Sequence, residues 1–99
     1  MSSIASISLS GMQAAQSQLN VAAGNIANSD TPGYQRRVAT PSAQAGGGVA
    51  VSVGVTPQAG SNLTTDVVSE LQAKNAFIAN LSVFKTANAM SGTLLDTSA

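Results

Sequence analysis

The sequence predicts a mainly α protein: two long antiparallel helices forming a coiled-coil hairpin, with a short β-strand or ribbon in the connecting middle. Apolar residues near the N-terminus recur at alternating steps of three and four, and a proline-free stretch of similar character runs from residue 63 almost to the end. Between these stretches, valines alternate with small or polar residues. The expected organisation is a single structural unit in three segments: residues 1–34 as helix and helix-ending turn, 35–62 as linker with a short β segment, and 63–99 as the second helix.

The first helix is expected from about residue 3 to residue 28. Ile4 and Ile7 lead into Met12, Ala15, Leu19, Ala22 and Ile26, the spacing of a helix that packs along a seam. Gly11 and Gly24 interrupt it, each costing about 1 kcal/mol of helix stability relative to Ala. Such a helix is weak alone, and glycine on a seam allows close approach of a partner.

Asn25 and Asn28 mark the end of this helix, because Asn tolerates the left-handed conformation in which helices often terminate. Thr31 is pushed out of helical conformation by Pro32, and Pro32-Gly33 predicts a type II turn with positive φ at Gly33. Tyr34, the single tyrosine, follows.

Residues 35–40 are polar and carry the adjacent Arg36 and Arg37, while residues 41–48, with three consecutive glycines, have loop composition. Val49, Val51, Val53 and Val55 alternate with Ala50, Ser52 and Gly54, a strand signal with the valines on one face. One strand cannot stand alone; it pairs with a neighbour, folds back as a ribbon, or remains an edge.

The second helix is expected to start with Thr64 as N-cap, Leu63 and Val68 as a hydrophobic staple, and Asp66 near the positive end of the helix dipole. Its seam is read through Val67, Leu71, Phe77, Ile78, Leu81, Phe84, Ala87, Leu94 and Leu95. At 1.5 Å per residue it would reach about 45 Å, against about 38 Å for the first helix. Lys74 and Asn88 interrupt the stripe, either setting register or pointing to solvent at its edge.

Composition excludes several functions. The 99 residues include no Cys, His or Trp and 3% aromatics. That leaves neither thiolate chemistry nor a base near neutrality, and the carboxylates are scattered, so neither an enzyme nor a metal or cofactor site is expected. Four basic residues balance four acidic ones, which leaves no electrostatic footprint for nucleic acid. The triple glycine lacks the Lys-Ser/Thr of a phosphate loop. No apolar run approaches the roughly 20 residues that span a membrane, and the first residues have neither the basic nor the apolar region of a cleaved secretory signal. A chain rich in Ala and Val, yet carrying two apolar stripes, is expected to complete its burial against other chains.

The stretch SGMQAAQSQLNVAAGNIANSDTPGY, residues 10–34, resembles the N-terminal signature of the bacterial flagellar axial proteins, the rod and hook family: a Ser-Gly-Leu start, an Ala-Asn-Asn-Ile-Ala-Asn core and a Thr-Pro-Gly-Tyr end. The segments AKNAFIAN and FKTANAMSGTLL are similar to that family's C-terminal signature, in the same order. Gly24 stands where an Asn is usual and Asn75 where an Arg is usual, and the middle is short even beside small rod proteins. The resemblance implies a structural subunit most like a small proximal rod protein, whose terminal helices pair and stack around an export channel. It further implies export by the flagellar type III apparatus without a cleaved signal, a place in the periplasm-spanning rod, and contacts with other axial proteins and with copies of itself. The alternative is a rod-like binding protein that acts as an adaptor or regulator of flagellar or type III assembly; concentration-dependent filament formation separates the two.

Overall fold

A computed structural model describes residues 2–57 and 59–98, with side chains over 4–57 and 59–95. Met1, Gln58 and Ala99, which belong to the expected segments, lie outside the described residues. Helix α1 spans Ser2–Ala27, strand β1 Arg37–Ala43, strand β2 Val49–Val55 and helix α2 Leu63–Ser98. The molecule is a slab of 62 × 24 × 13 Å, its long dimension set by α2.

The helices pack antiparallel along most of α1. Asn25 meets Asp66 at one end, Gly11 faces Asn80 in the middle, and Ile4 lies beside Val83 and Met90 at the other end. Small residues dominate the contact. The buried apolar residues are Met12, Ala14, Ala15, Ala22, Ala73 and Ala87, with Ser8, Asn25 and Asp66 as buried polar companions. Asp66, Ala73, Asn80 and Ala87 recur at seven-residue steps on α2, as do Ser8, Ala15 and Ala22 on α1, so each row stays on one face. The helices come so close that a Cβ on Gly11 would stand 2.4 Å from Asn80 Oδ1. Gly24 has nothing within 4 Å, so only the first of the two glycines of α1 serves close approach.

The second helix begins two residues earlier than expected. Asn62 is its cap: its Oδ1 accepts the Thr65 N–H at 3.2 Å, and its carbonyl accepts the Asp66 N–H at 3.0 Å. Thr64 is already inside the first turn. With the cap at 62, Leu63 and Val68 no longer hold staple positions, and both are exposed. Lys74 and Asn88 point to solvent.

The valine strand folds back as a ribbon, one of the three outcomes open to it, and its partner β1 takes in both residues 37–40 of the polar stretch and residues 41–43 of loop composition. β1 and β2 form an antiparallel hairpin in which Arg37 is opposite Val55 and Ala43 opposite Val49. Pro41 sits inside β1. The bracketing bonds, Thr56 N–H to Arg36 C=O at 2.8 Å and Gln44 N–H to Gly48 C=O at 3.0 Å, turn the even-numbered residues of both strands toward each other and the odd-numbered ones outward. The nitrogen of Pro41 therefore faces the outer edge, where no ladder donor is lost.

Candidate assembly site

The turn after α1 is built from side chains that close on their own backbone. The Asn28 N–H and its Nδ2 both donate to the Gly24 carbonyl, at 3.1 and 2.9 Å. Thr31 N–H donates to Asn28 C=O at 3.0 Å, and Tyr34 N–H to Thr31 C=O at 3.3 Å. Gly33 has φ +74°, as position i+2 of a type II turn requires. No non-glycine residue among those described has positive φ. Asn28 thus ends the helix by its amide rather than by the left-handed conformation expected of it, and Asn25 lies within the helix.

Asn25 instead does a long-range job. It is 2% exposed and uses its whole hydrogen-bonding capacity. Its Oδ1 accepts the Arg37 N–H at 2.9 Å and the Tyr34 hydroxyl at 3.4 Å. Its Nδ2 donates to the Arg37 carbonyl at 2.8 Å and to Asp66 Oδ1 at 3.3 Å. One residue of α1 therefore holds the turn, the start of β1 and the start of α2. Only one orientation of the amide satisfies both Arg37 groups.

Arg36 completes the node. Its Nε donates to Asp66 Oδ2 at 3.0 Å and its guanidinium terminus to Asp66 Oδ1, a two-point grip on a carboxylate that is 2% exposed. The hydrogen bond to Asp66, assisted by its charge and opposed by desolvation, raises Arg36 above the usual guanidinium range. Gly60 N–H donates to Tyr34 C=O at 3.1 Å, which ties the second linker to the same place. Beside the node runs an open groove of about 460 Å³ between β1 and α2, with Asn25 and Asp66 among its lining residues, Ala39 on the strand side, and Ser69, Ala73 and Ala76 on α2.

The residues read as a seam divide between two environments. On α1, Met12, Ala15 and Ala22 are buried and Leu19 and Ile26 half-buried; on α2, Phe77, Leu81 and Phe84 are half-buried. Val67, Leu71, Ile78, Leu94 and Leu95 are exposed, Leu71 at 57% and Ile78 at 53%. Val67, Leu71 and Ile78 stand outside the contact between α1 and α2, because the close approach admits Ala and Asn at the facing positions and turns the larger side chains outward; Leu94 and Leu95 lie on α2 beyond the point where Ile4, near the start of α1, meets Met90. Of the turn residues, Asn25 and Tyr34 enter the buried node, Asn28, Thr31 and Gly33 shape the turn itself, and Pro32 is exposed.

Sequence reasoning did not find Asp66 as the partner of Arg36 and Asn25. The available signal was a lone acid in the first turn of α2 and an arginine pair two residues beyond a tight turn; what joins them is tertiary. Among the described residues there is no group of three or more acidic, His or Cys side chains able to hold a metal ion, and no helix is long and apolar enough to cross a membrane.

No curated protein matches the chain. Residues 6–35, which cover most of α1 and the whole turn through Tyr34, match the model of a family described as flagella basal body rod protein. That family is structural rather than enzymatic, and the chain is similar to it over this stretch, just under a third of its length.

Proposed function

We propose that the protein is a structural subunit of the flagellar rod that assembles by burying, between neighbouring subunits, the bulky side chains its own fold leaves outside. One observation carries the reading: the buried residues of the intrachain contact are mostly alanine, with Met12, Ser8, Asn25 and Asp66, while Val67, Leu71 and Ile78 form an exposed stripe along α2 and Val83, Met90 and Leu94 are exposed on another part of it. Burial of apolar area at about 25 cal/mol per Å² is the main reward for association, and here most large aliphatic area remains unspent. The turn and the Asn25 node hold α1, α2 and the hairpin at set angles, so that the stripes are presented in a repeatable geometry. In this reading other axial proteins and further copies of the chain are the partners, and the flagellar type III apparatus exports it without a cleaved signal.

The test is mass spectrometry of purified hook–basal bodies from the source organism for peptides between Arg37 and Lys85. Stoichiometric recovery is the expected result. Absence from intact basal bodies in cells that express the chain would overturn the structural role and leave the adaptor or regulator reading. A second check is circular dichroism on the isolated chain, which should show less helix than the assembled form, since a slab with so little buried apolar area is weakly folded alone.

A further inference from the structure

The two edges of the hairpin are treated differently by the fold. On β1, the outward N–H and C=O of Arg37 are both taken by Asn25, and Pro41 removes the donor two positions before the end of the strand. On β2, the outward N–H of Val49 donates to Ser10 Oγ of α1 at 3.1 Å. Helix α1 therefore passes β1's edge at Asn25 and β2's edge at Ser10, crossing the sheet diagonally. That crossing leaves the rest of β2's edge clear. Among the described residues, the outward backbone groups of Val51, Val53 and Val55 have no partner, and the side chains of Val53 and Val55 are 52% and 58% exposed. The strand VAVSVGV has no charge and no proline, the usual devices that keep an edge from pairing.

We infer that this edge pairs with the same edge of a second copy of the chain, antiparallel and two-fold symmetric about Val53. The register follows from which groups are open. Centring on Val53 places Val51 opposite Val55 of the second copy and Val53 opposite itself, so every open N–H and C=O at the three residues gains a partner. Directly opposed residues share a face, so the valines of both copies join into one apolar row. No charged side chain lies in the paired segment to oppose this, and the chain's formal net charge is zero. Ser10 at Val49 ends the pairing at one side, and the departure of the chain after Val55 ends it at the other. The product is a four-stranded sheet in the order β1, β2, β2, β1. A two-fold contact of this kind closes on itself, so the pair is a state of the chain outside a polar, head-to-tail assembly, and it does not depend on the rod reading.

Val53 on the symmetry axis gives a sharp test. Sedimentation equilibrium on the full chain, from low micromolar to millimolar concentration, is expected to show a monomer–dimer equilibrium. Val53→Lys and Val53→Glu should each weaken it by at least about tenfold, because like charges then meet directly, and mixing the two variants should restore it. Val53→Pro, which removes an outward N–H as Pro41 does on β1, should weaken it similarly. Amides of Val51, Val53 and Val55 should become protected from hydrogen exchange as the dimer fills. Leu71→Ser with Ile78→Ser should leave dimerisation unchanged, because both residues are on α2 and outside the paired edge; loss of the dimer in that variant would overturn the inference. A wild-type chain that stays monomeric throughout would overturn the inference, as would a dimer indifferent to Val53→Lys or a Lys/Glu mixture no tighter than either variant.

Discussion

Replacing Arg36 with alanine is expected to destabilise the fold more than replacing its partner. Asp66 is 2% exposed, and without Arg36 its carboxylate keeps only the Asn25 amide at 3.3 Å. Removing one member of a buried pair typically costs about 3–5 kcal/mol, because a charge is left without compensation. The Arg36 side chain is 17% exposed and its removal opens a path for water, so the lower end, about 3 kcal/mol, is the expectation. Asp66→Asn removes the charge itself and lets Arg36 reach solvent, for about 1–2 kcal/mol. The double replacement Arg36→Met with Asp66→Leu should recover most of the loss, since well-packed apolar pairs often match a buried ion pair. Thermal melts followed at 222 nm, at one concentration to hold association constant, give the comparison. At about 4–8 °C per kcal/mol for a domain of this size, Arg36→Ala should melt at least 10 °C below wild type. Equal losses for the two single variants, or strict additivity in the double, would show that the pair does not carry the node.

Other expectations follow from the same geometry. Gly24→Ala should stabilise by about 0.5–1 kcal/mol through helix propensity, because nothing stands within 4 Å of the new methyl. Gly11→Ala should gain nothing or lose stability in the same chemical denaturation series, because Asn80 must swing away and give up its 2.8 Å bond to the Ala76 carbonyl; adding Asn80→Ala should restore the gain. Gly33→Ala should cost about 1–2 kcal/mol from its φ of +74° alone, with Gly33→Asn milder. Because the hydrogen bond to Asp66 raises Arg36 above its ordinary range, its contribution is complete below that range and is lost only as pH rises through the folded value. Alkaline titration from pH 7 to about 10 should therefore leave the Arg36→Ala stability difference unchanged.

Local chemistry was legible in the sequence, and its limits are physical. The type II turn at Gly33 could be read because proline and glycine constrain φ regardless of what surrounds them. Both helices could be read because their periodicity and the absence of proline are local properties. The partner strand could not: Pro41 argues against a strand unless its nitrogen is known to face outward, and that depends on the register with β2. Nor could Asn25, whose role depends on Arg37, twelve residues on, and Asp66, forty-one residues on.

The seam shows why hydrophobicity alone misassigns a helix contact. Ranking by apolar size chooses Val67, Leu71 and Ile78, yet helices that approach to the distance Gly11 and Asn80 allow have no room for them at the facing positions. The rows Asp66, Ala73, Asn80, Ala87 and Ser8, Ala15, Ala22 carried the seven-residue period in small and polar letters. A large side chain repeated beside such a row is better read as directed at another molecule than at its own. The exposed stripes on α2 are thus a consequence of the close intrachain contact: the tighter the two helices pack through small residues, the more of their bulky surface is left for a neighbour to cover.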